Sequence, residues 1–414
     1  MHIGKRLLFL RKKNGLSLEQ AAVGIVSPTH LSNIENGRYY PNGDILKLLA
    51  KKYKVSENYL VSFDRKDTTL DEPLHELLYL LISNNMERSK EIIEALEKEN
   101  PIPNVIQEIS FYILKIAFLI KINKPFDEEF AFINNMINED ELTYPDFVHQ
   151  CYVYSMSQVY FHQRDYENCY NSIQTFLKYN HPETVNATME FNLLLLLYYL
   201  NKPIQAIKLA EKVLKDFYVN HLWDIVVESY MLLFAIYFKQ TDYEMALYYT
   251  KQSLEVANLL DKNETIKSKI YHNFGITYKG LNLFEEAIVY LEKSIELKKQ
   301  LNLSTNSSYW SILDIYAQLQ DEESFYRWYN EIGVKSEEIE FLRIKLTPSL
   351  INEYLPYLND WAEKFEKQKK YEQACQVYYL LGNHYYSARK YKLSINYHQK
   401  VFDIIRKTKG SVYV

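Results

Sequence analysis

Glycine is scarce in this sequence. Only 10 of its 414 residues are glycine, and none occurs between residues 44 and 274. Tight β-hairpin turns depend on residues that adopt positive φ easily, and glycine is the commonest of these. The scarcity therefore argues against an all-β fold. No G-x-G-x-x-G or G-x-x-x-x-G-K-[ST] string occurs either, which excludes the familiar glycine-rich phosphate loops.

Cysteines and long apolar runs are also few. Cys151, Cys169 and Cys375 are odd in number and form no C-x-x-C pair, which predicts a reducing compartment and no metal site. Apolar blocks such as residues 193–200 are too short to cross a bilayer, and the first ten residues do not form a signal peptide. We therefore expect a soluble cytoplasmic protein without a cofactor.

Charge is divided unevenly along the chain. Residues 1–66 contain 12 lysine and arginine residues against 5 acidic ones, a net charge of +7, whereas the remainder has a net charge of −12. Neutralisation of phosphates supplies most of the non-specific affinity of proteins for DNA. The division predicts a small basic nucleic-acid-binding module joined to a larger acidic body.

The first 66 residues show the start and stop signals of five short helices. In the first helix, leucines form an apolar face, and Arg6 is predicted on the outer face with the other basic residues. Ser17 and Gln20 have the spacing of a capping box, which begins a second helix. Pro28 begins a third helix over residues 28–36, and Gly37 ends it.

This order of helices resembles the helix-turn-helix domain of the phage-repressor-like family. In that family the third helix lies in the major groove of DNA, and its first residues contact base edges. The matching positions are Leu16, Ser17, Glu19, Gln20, Ala22, Leu31, Ser32, Ile34, Glu35 and Gly37. The resemblance implies base contacts by Thr29, His30 and Asn33, and phosphate contacts by Ser17, Ser32, Asn36 and Arg38. The alternative is a helix-turn-helix module that serves only in protein interactions.

Residues 67–73 form a charged segment without apolar periodicity, which is either a linker or the start of a connecting helix. Beyond it, helical apolar spacing continues almost to the C-terminus and repeats internally. In the clearest unit, Gly275, Tyr278 and Ala287 fit the tetratricopeptide pattern. Small residues recur 37, 40 and 41 residues apart at Cys169, Ala206, Ala246 and Ala287.

The sequence therefore predicts an all-α protein. A helix-turn-helix domain at residues 1–66 precedes a right-handed tetratricopeptide superhelix at residues 74–414, with about eight helical hairpins. The first helices of such hairpins line a concave face that holds extended peptides, and asparagine amides suit a peptide backbone. The candidate peptide-binding residues are Gln158, Asn192, Tyr199, Glu228, Lys239, His272, Asn273, Lys279, Trp310 and Asp314.

This arrangement resembles the quorum-sensing family of peptide-responsive transcriptional regulators of Gram-positive bacteria, which includes the NprR, PlcR, PrgX and Rap-type proteins. The chain length favours the NprR-like branch. The resemblance implies a cytoplasmic homodimer, not an enzyme, that binds a double-stranded DNA operator and is switched by a short signalling oligopeptide. Two alternatives are a Rap-like module that sequesters or dephosphorylates a signalling partner, and a phage-type repressor without a peptide ligand.

Overall fold

The computed structural model describes residues 3–98, 101–137, 146–260 and 264–409. Every regular element in these ranges is a helix, which confirms the all-α prediction. The chain divides into two compact units, Met1–Leu232 and Leu233–Val414. The predicted boundary at residue 66 thus lies inside the first unit.

The first five helices form the helix-turn-helix module. The predicted capping box at Ser17 is present, since its hydroxyl accepts from the backbone N–H of Gln20 and the Gln20 side chain accepts from the backbone N–H of Ser17. Ser27 caps the third helix ahead of Pro28, as the sequence predicts. The five helices are α1 (Gly4–Lys13), α2 (Leu18–Ala22), α3 (Pro28–Glu35), α4 (Gly43–Tyr53) and α5 (Glu57–Val61).

The rest of the first unit consists mostly of longer helices. Asp67 caps the first of them through the backbone N–H of Thr69. Residues 67–73 are therefore the cap and first turns of a connecting helix, one of the two alternatives that the sequence leaves open. These helices are α6 (Thr68–Ile82), α7 (Met86–Lys98), α8 (Val105–Lys121), α9 (Asp127–Met136), α10 (Asp146–His162), α11 (Tyr166–Phe176), α12 (Glu183–Tyr199) and α13 (Pro203–Val219).

The second unit continues the pattern of paired helices. A long helix, α14 (Trp223–Lys239), begins in the first unit and ends in the second. A 3-10 turn at Pro348–Leu350 interrupts the series. The remaining helices are α15 (Tyr243–Ala257), α16 (Glu264–Gly280), α17 (Phe284–Gln300), α18 (Asn306–Leu319), α19 (Glu322–Glu331), α20 (Glu337–Leu346), α21 (Ile351–Lys367), α22 (Tyr371–Ser387) and α23 (Tyr391–Lys409).

Small residues allow the paired helices to pack closely. A Cβ atom at Gly275 on α16 would lie 2.5 Å from the side chain of Leu291 on α17, so only glycine fits at this contact without a shift. The four periodic small residues are all buried, as the tetratricopeptide pattern predicts. They are Cys169, Ala206, Ala246 and Ala287.

The turns between paired helices use left-handed residues other than glycine. Asparagine adopts this conformation with less strain than most residues, and five of the twelve non-glycine residues with positive φ in the described ranges are asparagine. This finding explains how helical hairpins form in a segment without glycine. The twelve residues are Lys54, Asn84, Asn123, Arg164, Asn201, His221, Thr241, Asn282, Asn302, Gln320, Lys369 and Arg389.

The helix-turn-helix module shares one hydrophobic core with the helices that follow it in the first unit. Phe9 on α1 packs edge-on against Phe132 on α9, with ring centroids 5.0 Å apart. The prediction that Arg6 lies on an outer face is wrong, because its side chain is buried and pairs with Glu108 on α8. Helical periodicity misplaces Arg6 because its partner lies about a hundred residues away in the sequence.

Candidate functional site

Helix α3 has one buried face and one face open to solvent. Leu31 and Ile34 lie in the core and fix the buried face. Thr29 is exposed, and His30 and Asn33 are partly exposed. The spacing of these three residues places them on one side of the helix. The structure therefore brings together the three residues that are predicted to contact bases.

An ion pair between Arg11 and Glu35 fixes the orientation of α3 relative to α1. Arg11 donates to both oxygens of the Glu35 carboxylate, from Nε at 2.7 Å and from Nη2 at 2.8 Å. Its remaining terminal nitrogen donates to the carbonyl of Leu16 at 3.1 Å. The hydrogen bond to Glu35 is the main cause that raises the pKa of Arg11. Such a bidentate pair restrains orientation as well as distance.

The four predicted phosphate-binding residues differ in whether their side chains already make hydrogen bonds or ion pairs within the protein. The Ser17 hydroxyl caps α2 and donates to Glu19 at 2.9 Å. The Asn36 amide donates to the carbonyl of Ser32 at 2.8 Å. Arg38 is exposed and makes no ion pair within the described ranges. Arg38 is therefore the member of this group most available to a phosphate.

Two exposed tyrosines follow α3, and sequence reasoning assigned them no role. The ring of Tyr39 lies 5.3 Å from the His30 ring. The Tyr40 hydroxyl donates to Asp64 at 3.2 Å, and its ring lies 5.5 Å from Phe63. Tyrosine hydroxyls are common donors to DNA phosphates. Two consecutive aromatic residues directly after the predicted recognition helix are the sequence signal that could have identified them.

Four candidate peptide-binding residues lie in the first unit, on helices α10, α12 and α14. Tyr199 is half-exposed and stacks on Tyr166, with ring centroids 4.8 Å apart. Gln158 and Asn192 are partly buried, and Glu228 is exposed. The stacked tyrosines offer a flat apolar surface, while the amides of Gln158 and Asn192 offer donors and acceptors.

The other six candidates lie in the second unit, where three of them contact one another. Lys279 on α16 forms a short ion pair with Asp314 on α18. The Lys279 ammonium also lies 4.8 Å from the centre of the Trp310 ring, at cation–π distance. Lys279 is therefore already paired within the protein. Lys239 is exposed near the end of α14.

His272 and Asn273 are neighbours on α16 with different environments. Burial lowers the pKa of His272 to about 4, and the charges of Lys298 and Lys279 add to the effect. Its Nδ1 lies 3.0 Å from the Ser308 hydroxyl. The Asn273 side chain is partly buried and makes no hydrogen bond within the described ranges. Its amide is thus free to pair with a ligand.

Sequence reasoning missed Lys298, whose ammonium donates to Ser308 at 3.0 Å. Burial lowers its pKa, and the charge of Lys269 contributes. The signal was present, because Lys298 follows Leu291 and Ser294 at helical spacing on the buried face of α17. A lysine at such a position is unusual for a soluble helix.

Two parts of the sequence match known domain families. Residues 7–60 match a helix-turn-helix family, and residues 227–300 match a tetratricopeptide repeat family. The transcriptional activator NprA of Geobacillus stearothermophilus is 21% identical over 408 residues, which cover 93% of this chain and 98% of NprA.

Solved structures of two related proteins share the fold. The apo form of the quorum sensor NprR from B. thuringiensis has a TM-score of 0.65 at 17% identity, over 81% of this chain and 99% of NprR. The apo form of RapI has a TM-score of 0.64 at 16% identity, over 83% of this chain and 99% of RapI. The resemblance to the peptide-responsive regulators is confirmed. At these identities the structural likeness establishes the fold.

The described parts of the chain contain neither a candidate metal site nor a candidate membrane span. No group of three or more histidine, cysteine, aspartate or glutamate side chains in these parts is placed to hold a metal ion. None of the described helices combines the length and the apolar character that crossing a membrane requires.

Proposed function

We propose that this protein is a transcription regulator that binds an operator in double-stranded DNA through α3 and is switched by a short peptide. The observation that carries the DNA-binding part is the exposed group of Thr29, His30 and Asn33 on a helix that the Arg11–Glu35 ion pair holds in place. Side chains on one face of such a helix reach base edges in a major groove. The +7 charge of residues 1–66 favours approach to phosphates.

Peptide binding is proposed for the repeat helices. NprR, whose fold this chain shares, has also been solved in complex with its cognate peptide NprX. In this chain the Asn273 amide, which makes no hydrogen bond within the described ranges, lies on the same helix as Lys279. Lys279 contacts Trp310 and Asp314. An asparagine amide pairs with both the N–H and the C=O of a peptide backbone. The likeness to NprA and NprR supports the NprR-like branch.

A homodimer is proposed because one short recognition helix reads too few base pairs, and dimers of such domains read two half-sites about one DNA turn apart. Helices α21 and α22 are the proposed contact region, since Tyr357, Tyr379 and Tyr386 are exposed there. Light scattering of the full chain at micromolar concentration tests this part. The mass of a single chain would contradict it.

Selection from a random double-stranded DNA library tests the DNA-binding part with the full-length protein. We expect enrichment of one sequence with two related half-sites. The matched variant carries Thr29→Ala and Asn33→Ala, which leave the buried face of α3 unchanged, and it should enrich no sequence. Equal enrichment by both proteins would show that α3 is not the reading helix.

A second function is favoured by the fold shared with RapI. In this alternative the repeats sequester or dephosphorylate a signalling partner, and the helix-turn-helix module serves in protein interactions. A phage-type repressor without a peptide is the third possibility, although it gives the repeats no role. Failure of the DNA selection would place the Rap-like alternative first, whereas DNA selection without any bound peptide would favour the repressor.

A further inference from the structure

Lys298 is a buried lysine without a counter-ion in the described ranges. Its side chain lies on the inward face of α17 and the residue is 7% exposed. The ammonium has three N–H donors, and Ser308 Oγ, at 3.0 Å, is its single hydrogen-bond acceptor among the described residues. A buried charge is costly unless it is paired. An anion bound beside the Lys298 ammonium would therefore stabilise its charged form.

Side chains from three helices converge on the Ser308 hydroxyl. His272 Nδ1 on α16 lies 3.0 Å away, and Ser294 Oγ on α17 lies 3.2 Å away. The Ser294 hydroxyl donates to the carbonyl of Ser268 at 2.8 Å, and Ser308 accepts from Lys298. The single proton of the Ser308 hydroxyl therefore serves either His272 Nδ1 or Ser294 Oγ. Lys298 keeps two N–H donors without an acceptor among the described residues.

The neighbouring charges do not supply an anion for Lys298. Lys279 is neutralised by Asp314, which accepts a second hydrogen bond from Gln318 at 2.8 Å. Lys269 is a further cation whose charge acts on Lys298. The region around Lys298 therefore has an excess of positive charge.

We infer that Lys298, aligned by Ser308 and His272, anchors a carboxylate of the bound peptide. This inference rests on the proposed peptide binding and goes beyond it by naming the charged group that the site recognises. Ammonium–carboxylate hydrogen bonds are shorter and stronger than neutral ones. Asn273, which follows His272 on α16, is placed to hold the adjoining peptide backbone. The carboxylate comes either from the peptide C-terminus or from an aspartate or glutamate side chain.

Randomised heptapeptides provide a probe for this site. One library has free C-terminal carboxylates and no acidic side chains, a second is amidated and contains aspartate and glutamate, and a third is amidated without acidic residues. The immobilised full-length protein is incubated with each library, and bound peptides are quantified by mass spectrometry. We expect capture from the first or the second library, which identifies the source of the carboxylate, and at least tenfold less from the third.

Lys298→Met is the informative variant, because an unbranched apolar side chain fits a buried position and replacement of a buried charge by an apolar group preserves folding in other proteins. Lys293→Met is the matched control, since Lys293 is an exposed lysine on the same helix. We expect Lys298→Met to lose at least tenfold in capture while Lys293→Met retains it. Circular dichroism of both variants verifies the helical fold.

Two results would overturn the inference while peptide binding stands. One is capture from the third library as strong as from the other two, and the other is undiminished capture by Lys298→Met. If the parent protein captures no peptide from any library, the proposed peptide binding itself fails and the carboxylate site fails with it. These outcomes therefore distinguish failure of the carboxylate site from failure of peptide binding as a whole.

Discussion

Arg6 and Glu108 form a buried ion pair that joins the helix-turn-helix module to helix α8. The Arg6 Nη2 atom lies 2.6 Å from Glu108 Oε2, and the two side chains are 0% and 2% exposed. The Tyr59 hydroxyl donates to the other carboxylate oxygen at 2.5 Å. Burial raises the pKa of Glu108, and Arg6 offsets part of this effect. The pair fixes the position of the module on the first repeats.

Glu108→Gln should destabilise the protein by about 3–5 kcal/mol, because it leaves the Arg6 charge buried without its partner. Denaturant unfolding followed by circular dichroism measures the loss. Glu97→Gln is the matched control, since Glu97 forms a half-exposed ion pair with Lys115 and should cost about 1 kcal/mol or less. Equal effects of the two substitutions would show that the Arg6–Glu108 pair contributes little.

Local signals made the helix-turn-helix module predictable from the sequence. The Ser17–Gln20 capping box and the start of α3 at Pro28 depend on residues within one helical turn, and both are confirmed. Arg6 was misplaced because its partners, which include the carbonyl of Pro103 at 2.5 Å, are distant in sequence. Helical periodicity describes one helix at a time and contains no information about a second helix that covers its outer face.

The same limit applies to the candidate peptide site. The repeat pattern correctly places Lys279 and Asp314 on α16 and α18, yet it does not indicate that the two pair with each other. The pattern also predicts that the buried face of α17 belongs to the core, so it does not identify Lys298 as a candidate ligand-binding residue. Pairing between side chains of different helices depends on packing geometry, which composition and spacing do not determine.

Thr241→Asn should stabilise the turn between α14 and α15 by about 1 kcal/mol. Thr241 has a φ of 61°, a left-handed conformation that strains a β-branched residue more than asparagine. The reverse substitution, Asn282→Thr in the turn between α16 and α17, should cost a similar amount because its φ is 59°. Thermal unfolding measures the change in stability of each variant. Melting temperatures that shift in the same direction in both variants would contradict the explanation.

His272 should make stability depend on pH. Its pKa is lowered to about 4 in the folded protein, compared with about 6.5 in an unfolded chain. As the pH falls, His272 is therefore protonated in the unfolded state before it is protonated in the folded state. This group lowers the free energy of unfolding very little well above pH 6.5, and progressively more as the pH falls toward 4. At pH 5 the expected loss from this residue is about 2 kcal/mol.

His272→Gln removes this contribution and should narrow the difference between denaturation midpoints at pH 7 and pH 5. His221→Gln is the control, because His221 is exposed. A pH dependence that is unchanged by His272→Gln would mean that other groups account for the loss of stability.

Substitutions at the residues proposed to contact DNA should separate base contacts from phosphate contacts. Asn33→Ala is expected to lower affinity for the selected operator by about 1–3 kcal/mol and to relax its sequence preference. Arg38→Ala should weaken binding to all sequences alike and reduce the salt dependence by about one phosphate contact. Fluorescence anisotropy at several salt concentrations distinguishes the two patterns, and a sequence-dependent loss in Arg38→Ala would reverse the assignment.

The most direct test of peptide-switched DNA binding is calorimetric titration of the selected operator into the full-length protein, with and without a saturating peptide captured from the libraries. We expect the peptide to change operator affinity about 5-fold to 150-fold, the usual range for coupling of about 1–3 kcal/mol. Linkage requires that the operator change peptide affinity by the same factor. Operator affinity that is identical with and without a peptide that binds would contradict the central claim.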